Sequence, residues 1–150
     1  MTSKEIIALL PFQEPFLFVD ELTDISVDGM RGSYTFSSSA FFYQGHFRDH
    51  PITPGVILTE TMAQIGVVCL GIYIIKKEKG EYPDKSRIAL TSHQIDFYHP
   101  VMPGEKVMVV SEKVYFRFHK LKCKVAMYNQ QDELVCRGTI AGMINPQDDE

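Results

Sequence analysis

A histidine and a glutamate lie close together in the chain, in surroundings that suit acid–base chemistry. His46 belongs to a stretch rich in aromatic residues, glycine and proline, and Glu60 follows within a strongly apolar segment. A neutral imidazole can accept a proton near neutral pH, because its pKa lies close by. Burial raises the pKa of a carboxyl group, so a glutamate inside an apolar segment can donate a proton. We therefore take His46 and Glu60 as a candidate acid–base pair.

Two further groups near Glu60 suit the same chemistry. The sequence Thr53–Pro54–Gly55 is typical of a helix start, where free N–H groups and the positive end of the helix dipole meet. The Gly55 amide has no side chain to shield it, so it can bind a developing oxyanion. Gln64 lies one helical turn after Glu60 on the same face and can hold its carboxyl group in place.

The segment that carries Glu60 is predicted to be one long helix. Thr53 is the expected N-cap, Pro54 suits the first helical position, and Gly80 is expected to end the helix. Residues 56–75 are apolar on nearly every face. A helix of about 24 residues with this pattern must be buried all round, so the rest of the chain has to wrap it.

The remaining segments are predicted to form a sheet of about six strands. Asp28–Gly29 is a hairpin signal between the first two strands, and short joints link the later ones. Leu121, Cys123, Val125 and Met127 alternate with more polar residues, which indicates one buried face. The expected strands cover residues 16–27, 31–38, 87–98, 105–118, 121–129 and 134–144. A long central helix wrapped by a curved antiparallel sheet is an α+β architecture, the hot-dog fold.

Length and composition favour one ordered domain. A chain of 150 residues with 45% hydrophobic and 23% charged residues has the balance of an ordinary globular protein. We expect a single domain over residues 1–150, with residues 1–4 and the acidic residues 145–150 loose.

Net charge and cysteine content indicate which partners and which cellular compartment suit this chain. A formal net charge of −4 argues against nucleic acid as a partner, because phosphate binding needs a concentrated basic face. Cys69, Cys123 and Cys136 lie singly in apolar segments, as buried thiols of a reducing compartment do. The apolar run at residues 65–75 is about half of a bilayer crossing. We expect a cytoplasmic protein that does not bind a membrane.

One stretch resembles the signature of a known enzyme family. Residues 42–64 read FYQGHFRDHPITPGVILTETMAQ. This run is similar to FFxGHFPxxPxMPGVLxxEAMAQ, the signature of the FabZ-type 3-hydroxyacyl-acyl-carrier-protein dehydratases. The segments 10–20 and 97–105 resemble the LPHRYPFLLVD and FRxPVxPGD motifs of the same family, so the resemblance covers residues 10 to 105 in order.

The resemblance implies a reaction and its residues. The family dehydrates 3-hydroxyacyl thioesters to trans-2-enoyl thioesters in fatty-acid synthesis, and its catalytic histidine and glutamate fall on His46 and Glu60. Phe47 and Phe97, from a larger aromatic cluster, and Val56 at the helix start become candidates for substrate binding. The implied enzyme needs no cofactor, and its substrate is carried on phosphopantetheine by acyl carrier protein, or as a coenzyme A thioester. It works as a homodimer or trimer of dimers, in which the histidine of one subunit faces the glutamate of the other.

Several positions depart from the family pattern. Phe12–Gln13 replaces the family's His–Arg, Arg48 replaces a proline, and Thr53 replaces a methionine. None of these changes removes the acid–base pair. They favour equally a housekeeping pathway and a specialised one, such as synthesis of aryl-polyene or flexirubin-like chains.

Other interpretations of the same residues stay open at this point. A hot-dog acyl thioesterase would use the helical carboxylate but would leave His46 without a role. A non-catalytic acyl-thioester-binding subunit would be expected to lack one member of the pair. A metal site at His46, Asp49 and His50 is disfavoured, because the HxxxH spacing aligns two ligands only within a helix and prolines follow it.

Overall fold

In the computed structural model, which describes residues 1–82 and 87–145, the longest element is a central helix, α2 (Gly55–Lys79). It is long and apolar enough to cross a membrane by length and composition, yet 83% of its most apolar window is buried inside the protein. Ile65, Leu70 and Ile72 are completely buried. The helix is therefore the core of the fold, as predicted. Val56 is the exception, since 76% of it is exposed in the first turn.

The C-terminal end of α2 agrees with the prediction from the sequence, and the N-terminal end does not. Gly80 ends the helix as predicted, with a positive φ of 79° that a side chain would disfavour. At the other end the predicted N-cap is wrong. Pro54 is the cap residue, with extended backbone, and the hydroxyl group of Thr53 is hydrogen bonded to Tyr43. Pro54 was expected at the first helical position but is the residue before it. Its fixed φ favours the start of the helix, and no side chain caps that end.

Six antiparallel strands form one sheet around α2, which confirms the predicted fold class. The strands lie in the order β1-β2-β4-β5-β6-β3, so β1 and β3 are the edges. Short turns join β1 to β2 and β4 to β5. The strands are β1 (Glu21–Ser26), β2 (Gly29–Thr35), β3 (Arg87–Phe97), β4 (Lys106–Arg117), β5 (Lys120–Tyr128) and β6 (Leu134–Asn145).

The alternation predicted for β5 is present. Leu121, Cys123, Val125 and Met127 are buried, and the residues between them are more exposed. Since successive side chains of a strand point to opposite faces, one face of β5 packs on α2 and the other meets solvent.

The N-terminal segment is more ordered than expected. Residues 1–4 were expected to be loose, but Thr2 caps a short helix, α1 (Ser3–Ala8), through a capping box with Glu5. Two reciprocal hydrogen bonds satisfy free N–H groups there, which fixes the first turn. Of the predicted loose tail, residues 146–150 lie outside the described residues, and Asn145 ends β6 in register with Arg87.

The first strand is shorter than predicted. It begins at Glu21, not at residue 16. The Phe18 N–H donates to Gln64 Oε1 at 2.8 Å, and the Phe16 carbonyl accepts from Gln64 Nε2 at 3.1 Å. Because a side chain of α2 occupies these backbone groups, Phe16 and Phe18 do not join the sheet, and contact with β2 begins at Asp20, whose N–H donates to the Ser33 carbonyl at 2.9 Å.

Candidate active site

A cleft of about 360 Å³ opens beside the start of α2. Its wall combines the loop before the helix, the first helical turns and the segment that follows β3. It is lined by His46, Phe47, Ile52, Thr53, Gly55, Leu58, Phe97, Tyr98, His99 and Pro100. Sequence reasoning had singled out His46, Phe47, Gly55 and Phe97 as site residues, and all four share this cleft.

His46 is held by the backbone of its own loop. The Ile52 N–H donates to the His46 carbonyl at 2.8 Å, and His46 Nδ1 lies 3.0 Å from the Ile52 carbonyl oxygen. A carbonyl oxygen can only accept, so Nδ1 carries the hydrogen and Nε2 of a neutral ring is left without one. The Phe47 ring stacks on the imidazole, with 4.0 Å between ring centroids. This tautomer is the one that can take a proton through Nε2.

The start of α2 offers two free amides. Pro54 accepts from the N–H groups of Ile57 and Leu58, while the N–H groups of Gly55 and Val56 have no partner in the described part of the chain. The Phe97 ring covers Gly55 so closely that a Cβ there would lie 3.2 Å from Phe97 Cζ. A side chain at this position would press on the Phe97 ring, and Gly55 lies in the cleft wall at the positive end of the helix dipole.

Glu60 is in surroundings that favour its protonated form. Burial raises the pKa of its carboxyl group, and a hydrogen bond from Gln64 lowers it in part. Gln64 Nε2 lies 3.0 Å from Glu60 Oε2. Gln64 is completely buried and is itself fixed by the backbone of Phe16 and Phe18. The amide therefore holds the carboxyl group in one orientation, as the one-turn spacing predicted.

The predicted acid and base do not line one cleft within the protomer. Glu60 is not among the described residues around the cleft that contains His46. Val56, which was expected to contact substrate, is also absent from that wall and points to solvent. Phe47, Phe97 and Tyr98 are about half exposed on the rim. The rim of the cleft is therefore an exposed apolar patch.

Several cleft residues escaped the sequence reasoning. Thr53 is expected from the sequence to cap the helix, and the sequence pattern does not single out His99. The structure places both in the wall, where His99 Nδ1 lies 3.2 Å from the Leu134 carbonyl oxygen. Ile52, Leu58 and Pro100 were not considered. Their positions in the sequence could have indicated them, because they lie within three residues of Gly55 or closely follow Phe97.

A larger depression, of about 770 Å³, lies on the outer face of the sheet. Four of its charged residues form two pairs of opposite sign across neighbouring strands. Glu112 is in register with Lys124, and Asp96 is in register with Arg137. Cross-strand pairs of this kind belong to a solvated sheet face. Within the described residues, no cluster of three or more histidine, cysteine or acidic side chains could hold a metal ion.

Comparisons with known proteins agree on one family. A FabA-like domain matches residues 10–141. The 3-hydroxyacyl-(acyl-carrier-protein) dehydratase FabZ of Caldicellulosiruptor saccharolyticus is 31% identical over 137 residues, covering 90% of this chain and 92% of the relative. The enzyme of the same name from Herpetosiphon aurantiacus is 34% identical, covering 85% and 88%.

Solved structures share the fold at low sequence identity. The dehydratase heterocomplex ApeI:P from Xenorhabdus doucetiae superposes with a TM-score of 0.78 at 14% identity, covering 95% of this chain and 91% of that one. A hypothetical thioesterase with coenzyme A from Streptococcus pneumoniae TIGR4 gives a TM-score of 0.61 at 13% identity, covering 85% and 86%. At these identities the likeness concerns the fold alone.

Proposed function

The chain belongs to the FabA-like family, among the FabZ 3-hydroxyacyl-(acyl-carrier-protein) dehydratases, and on that premise we propose that His46 and Glu60 carry out the dehydration. The substrate is a 3-hydroxyacyl thioester on acyl carrier protein, and the product is the trans-2-enoyl thioester. The observation that carries this assignment is the pair of opposite environments, a histidine with a free Nε2 and a glutamate with a raised pKa.

The elimination breaks two bonds and forms one double bond. A base removes the proton from Cα, the electron pair of that C–H bond becomes the Cα–Cβ double bond, and the Cβ–O bond breaks. The departing hydroxyl group needs a proton to leave as water. Negative charge builds on the thioester oxygen as the α-proton is removed, so a hydrogen-bond donor there lowers the barrier.

His46 fits the role of the base. Its Nδ1–H is bound to the Ile52 carbonyl, which leaves the Nε2 lone pair available for the α-proton. The carbonyl also stabilises the imidazolium that results, because Nδ1–H becomes a stronger donor when the ring is charged. The proton then returns to solvent.

Glu60 fits the role of the acid. Burial favours its protonated form, which can give a proton to the departing hydroxyl group. Gln64 donates to Oε2 and so leaves the other oxygen of the carboxyl group for substrate. After the reaction Glu60 is a carboxylate, and it regains a proton from solvent before the next cycle.

The Gly55 amide fits the role of oxyanion donor. It lies at the positive end of α2 and in the wall of the cleft, beside the Phe97 ring. A single donor of this kind typically contributes about 3 kcal/mol to the barrier. Phe47 and Phe97 would then pack on the acyl chain.

The complete site would form between two copies of the chain, as a homodimer or a trimer of dimers. The edge strand β3 supports this arrangement. Its outer edge is unpaired over eleven residues, most of which are exposed. A long edge strand whose two charged residues, Arg87 and Asp96, lie near its ends is a template for pairing, whereas the other edge, β1, is short and carries Glu21 and Asp24. Pairing of two β3 edges would bring the cleft of one protomer towards the second.

The substrate class within the family is a further part of the proposal. Acyl carrier protein is the expected carrier, with the acyl group on phosphopantetheine and no cofactor, and a coenzyme A thioester is the alternative. Arg48 and Thr53, which depart from the signature, lie in or beside the cleft loop. They support a specialised chain, aryl or polyene, as readily as an alkyl chain. The free buried thiols Cys69, Cys123 and Cys136 support a cytoplasmic location.

A product assay tests the proposed function. The protein is incubated with 3-hydroxyacyl thioesters of acyl carrier protein, alkyl and aryl, and the carrier-bound products are weighed by mass spectrometry. Loss of one water is expected, and release of free acid would instead identify a thioesterase. His46→Ala and Glu60→Gln should each lose at least about a hundredfold in kcat.

The matched control is His50→Ala. His50 lies in the same loop, but its side chain is exposed and only its backbone is hydrogen bonded to Phe47. Its activity should stay close to that of the wild type. Full activity of either His46→Ala or Glu60→Gln would refute the assigned acid–base pair.

A further inference from the structure

The loop that carries His46 is closed by a pair of buried hydroxyl groups. Tyr43 OH and Thr53 Oγ1 are hydrogen bonded to each other. Only 7% of Tyr43 and 4% of Thr53 are exposed. The two residues stand at the ends of an eleven-residue segment, 43–53, that contains the proposed base and leads directly into Pro54 and α2.

The hydroxyl pair is one of several links across the same loop. Further along, the backbones of His46 and Ile52 are joined at 2.8 Å, and His46 Nδ1 reaches the Ile52 carbonyl at 3.0 Å. Phe47 and His50 then exchange backbone hydrogen bonds at 3.0 and 3.2 Å. These links hold the loop together internally. The Tyr43–Thr53 link differs, because it ties the loop to the residue that precedes the helix start.

Both partners are anchored to the rest of the protein. The Tyr43 ring packs edge-on against Phe42, 4.7 Å between centroids, and Phe42 packs in turn against Phe36. The Thr53 N–H donates to the carbonyl of Val101, a completely buried residue, at 2.9 Å. Gln44 and Gly45, between Tyr43 and His46, are exposed, and a Cβ at Gly45 would meet nothing within 4 Å. The entering limb of the loop is therefore fixed mainly through Tyr43.

Both hydroxyl groups depart from the FabZ-type signature. The FabZ-type signature has phenylalanine in the place of Tyr43 and methionine in the place of Thr53. Burial raises the pKa of Tyr43, so its hydroxyl group stays protonated at neutral pH. A buried hydroxyl group without a partner is unfavourable, and here each hydroxyl is the partner of the other.

We infer that Tyr43 and Thr53 are positioning residues whose hydrogen bond fixes His46 relative to the Gly55 amide. His46 is three residues from one end of the segment, and Gly55 is two residues from the other. A link between the ends therefore sets the distance between base and oxyanion donor. The inference rests on the proposed function, since it gives the pair a role in placing the base for that reaction.

Three variants test the role of the hydrogen bond. Tyr43→Phe and Thr53→Val each remove one hydroxyl group with little change in shape, and each should lower kcat about tenfold with KM within about twofold. Thr53→Ser keeps the hydroxyl group and should keep kcat within about threefold of the wild type. The double variant Tyr43→Phe/Thr53→Val should be no slower than the slower single variant, because both changes break the same bond.

A control separates positioning from general loss of stability. Ser111 is also a buried hydroxyl residue, bound to the Met30 carbonyl at 3.4 Å, and it is not among the described residues around the cleft. Ser111→Ala should lower the unfolding temperature and leave kcat unchanged. If Ser111→Ala lowered kcat as much as Tyr43→Phe, or if Thr53→Ser lost as much as Thr53→Val, the inference would be overturned.

A second readout does not depend on turnover. The imidazole nitrogen resonances of His46, assigned by their loss in His46→Ala, should show hydrogen on Nδ1 in the wild type and a mixture of tautomers in Tyr43→Phe. Unchanged resonances together with unchanged kcat would refute the positioning role. Activity that survives His46→Ala would instead refute the proposed function, so the two failures are distinct.

Discussion

At the scale of single residues, the proposed site depends on the neighbours of His46 and Glu60. The Ile52 carbonyl holds the hydrogen of His46 on Nδ1. Around Glu60, burial outweighs the hydrogen bond from Gln64 and favours the neutral acid. In the proposed mechanism His46 therefore offers Nε2 as the base, and the carboxyl group of Glu60 is the acid.

The raised pKa of Glu60 predicts that its charged form lowers the stability of the folded protein. A substitution that removes the charge should therefore relieve this loss. Since the folded-state pKa lies above the unfolded value, folding favours the protonated form, and stability falls as pH rises through the folded-state pKa. Glu60→Gln has no charge to bury, so its unfolding temperature should equal or exceed that of the wild type at pH 8. The difference should shrink towards pH 4. Thermal unfolding of both proteins across this range measures it.

The same variant is expected to be inactive, which separates catalysis from folding. The amide introduced by Glu60→Gln would keep an oxygen that accepts from Gln64 Nε2, so the local packing should persist. A lower unfolding temperature of Glu60→Gln at pH 8, with no dependence of the difference on pH, would show that burial does not disfavour the charged form.

Residue types and spacing predicted where several residues of the proposed site lie, but not the contacts across the loop, and their catalytic roles stay a prediction. The positions of His46, Gly55 and Gln64 were predictable, because each follows from a local pattern. The role given to Thr53 was wrong, since a capping rule considers neighbours within one turn and its partner, Tyr43, lies ten residues earlier. The exposure of Val56 could not be predicted, because an apolar residue pattern does not show which turn of a helix extends beyond the sheet that covers the rest.

At the scale of elements, the position of Glu60 depends on how α2 packs on the sheet. The helix contains a π-helical turn, Gln64–Val68, shortly after Glu60. In the middle of this turn the Gly66 carbonyl accepts a hydrogen bond from Cys123 Sγ of β5, 3.6 Å away. Turns of this kind are frequent at functional sites, and here the turn begins at the residue that orients the carboxyl group.

Close packing at Gly66 predicts a strong effect of one added methyl group. A Cβ at Gly66 would lie 2.9 Å from Ser111 Cβ and 3.2 Å from Val125 Cγ1. Gly66→Ala should therefore lower the free energy of unfolding by about 1–3 kcal/mol, as overpacking does. Gly45→Ala is the matched control, because a Cβ there meets nothing within 4 Å. Chemical denaturation measures both.

A second substitution tests whether the contact with Ser111 causes the loss of stability. Gly66→Ala combined with Ser111→Gly removes the atom in conflict and should recover part of the lost stability. If Gly66→Ala were as stable as Gly45→Ala, the helix would not be seated against β4 as described.

The elements themselves were largely predictable, and the exceptions have a physical reason. The last four strands follow the predicted ranges to within one or two residues, because alternation and turn residues mark them clearly. The first strand was predicted too long. Its residues 16–20 look like a strand, yet the Gln64 side chain takes the backbone hydrogen bonds of Phe16 and Phe18 from 46 to 48 residues away. No local pattern reports such a contact.

At the scale of the whole molecule, the two members of the proposed pair do not line one cleft of the protomer. The cleft contains His46 but not Glu60 among the described residues of its wall. The edge strand β3 ends at Phe97 in that same wall. A two-fold pairing of β3 edges would cover the exposed rim and join the halves, since such an interface brings the same patch of each subunit together.

This arrangement predicts that a charge on β3 separates the subunits. Leu90 is exposed on the edge strand, and Leu90→Lys would place a positive charge on the proposed interface of each subunit. The Kd of the dimer should rise at least about tenfold, and activity should fall at low protein concentration. Light scattering coupled to size exclusion measures the mass of the assembly.

Val114→Lys is the control for this change. Val114 is similarly exposed on β4, which is an inner strand of the sheet. This variant should keep the mass and activity of the wild type. Dissociation by Val114→Lys, or a stable dimer in Leu90→Lys at all concentrations, would place the interface elsewhere.

The most direct measurement of the central claim uses mixed dimers of two inactive variants. His46→Ala and Glu60→Gln chains, each with its own affinity tag, are co-expressed and the doubly tagged species is purified. If the histidine of one subunit works with the glutamate of the other, one of the two sites in this heterodimer is intact. Its kcat per dimer should then reach about half of the wild-type value, far above either variant alone. A heterodimer as inactive as its parents would contradict the shared site, because it would mean that His46 and Glu60 act within one protomer.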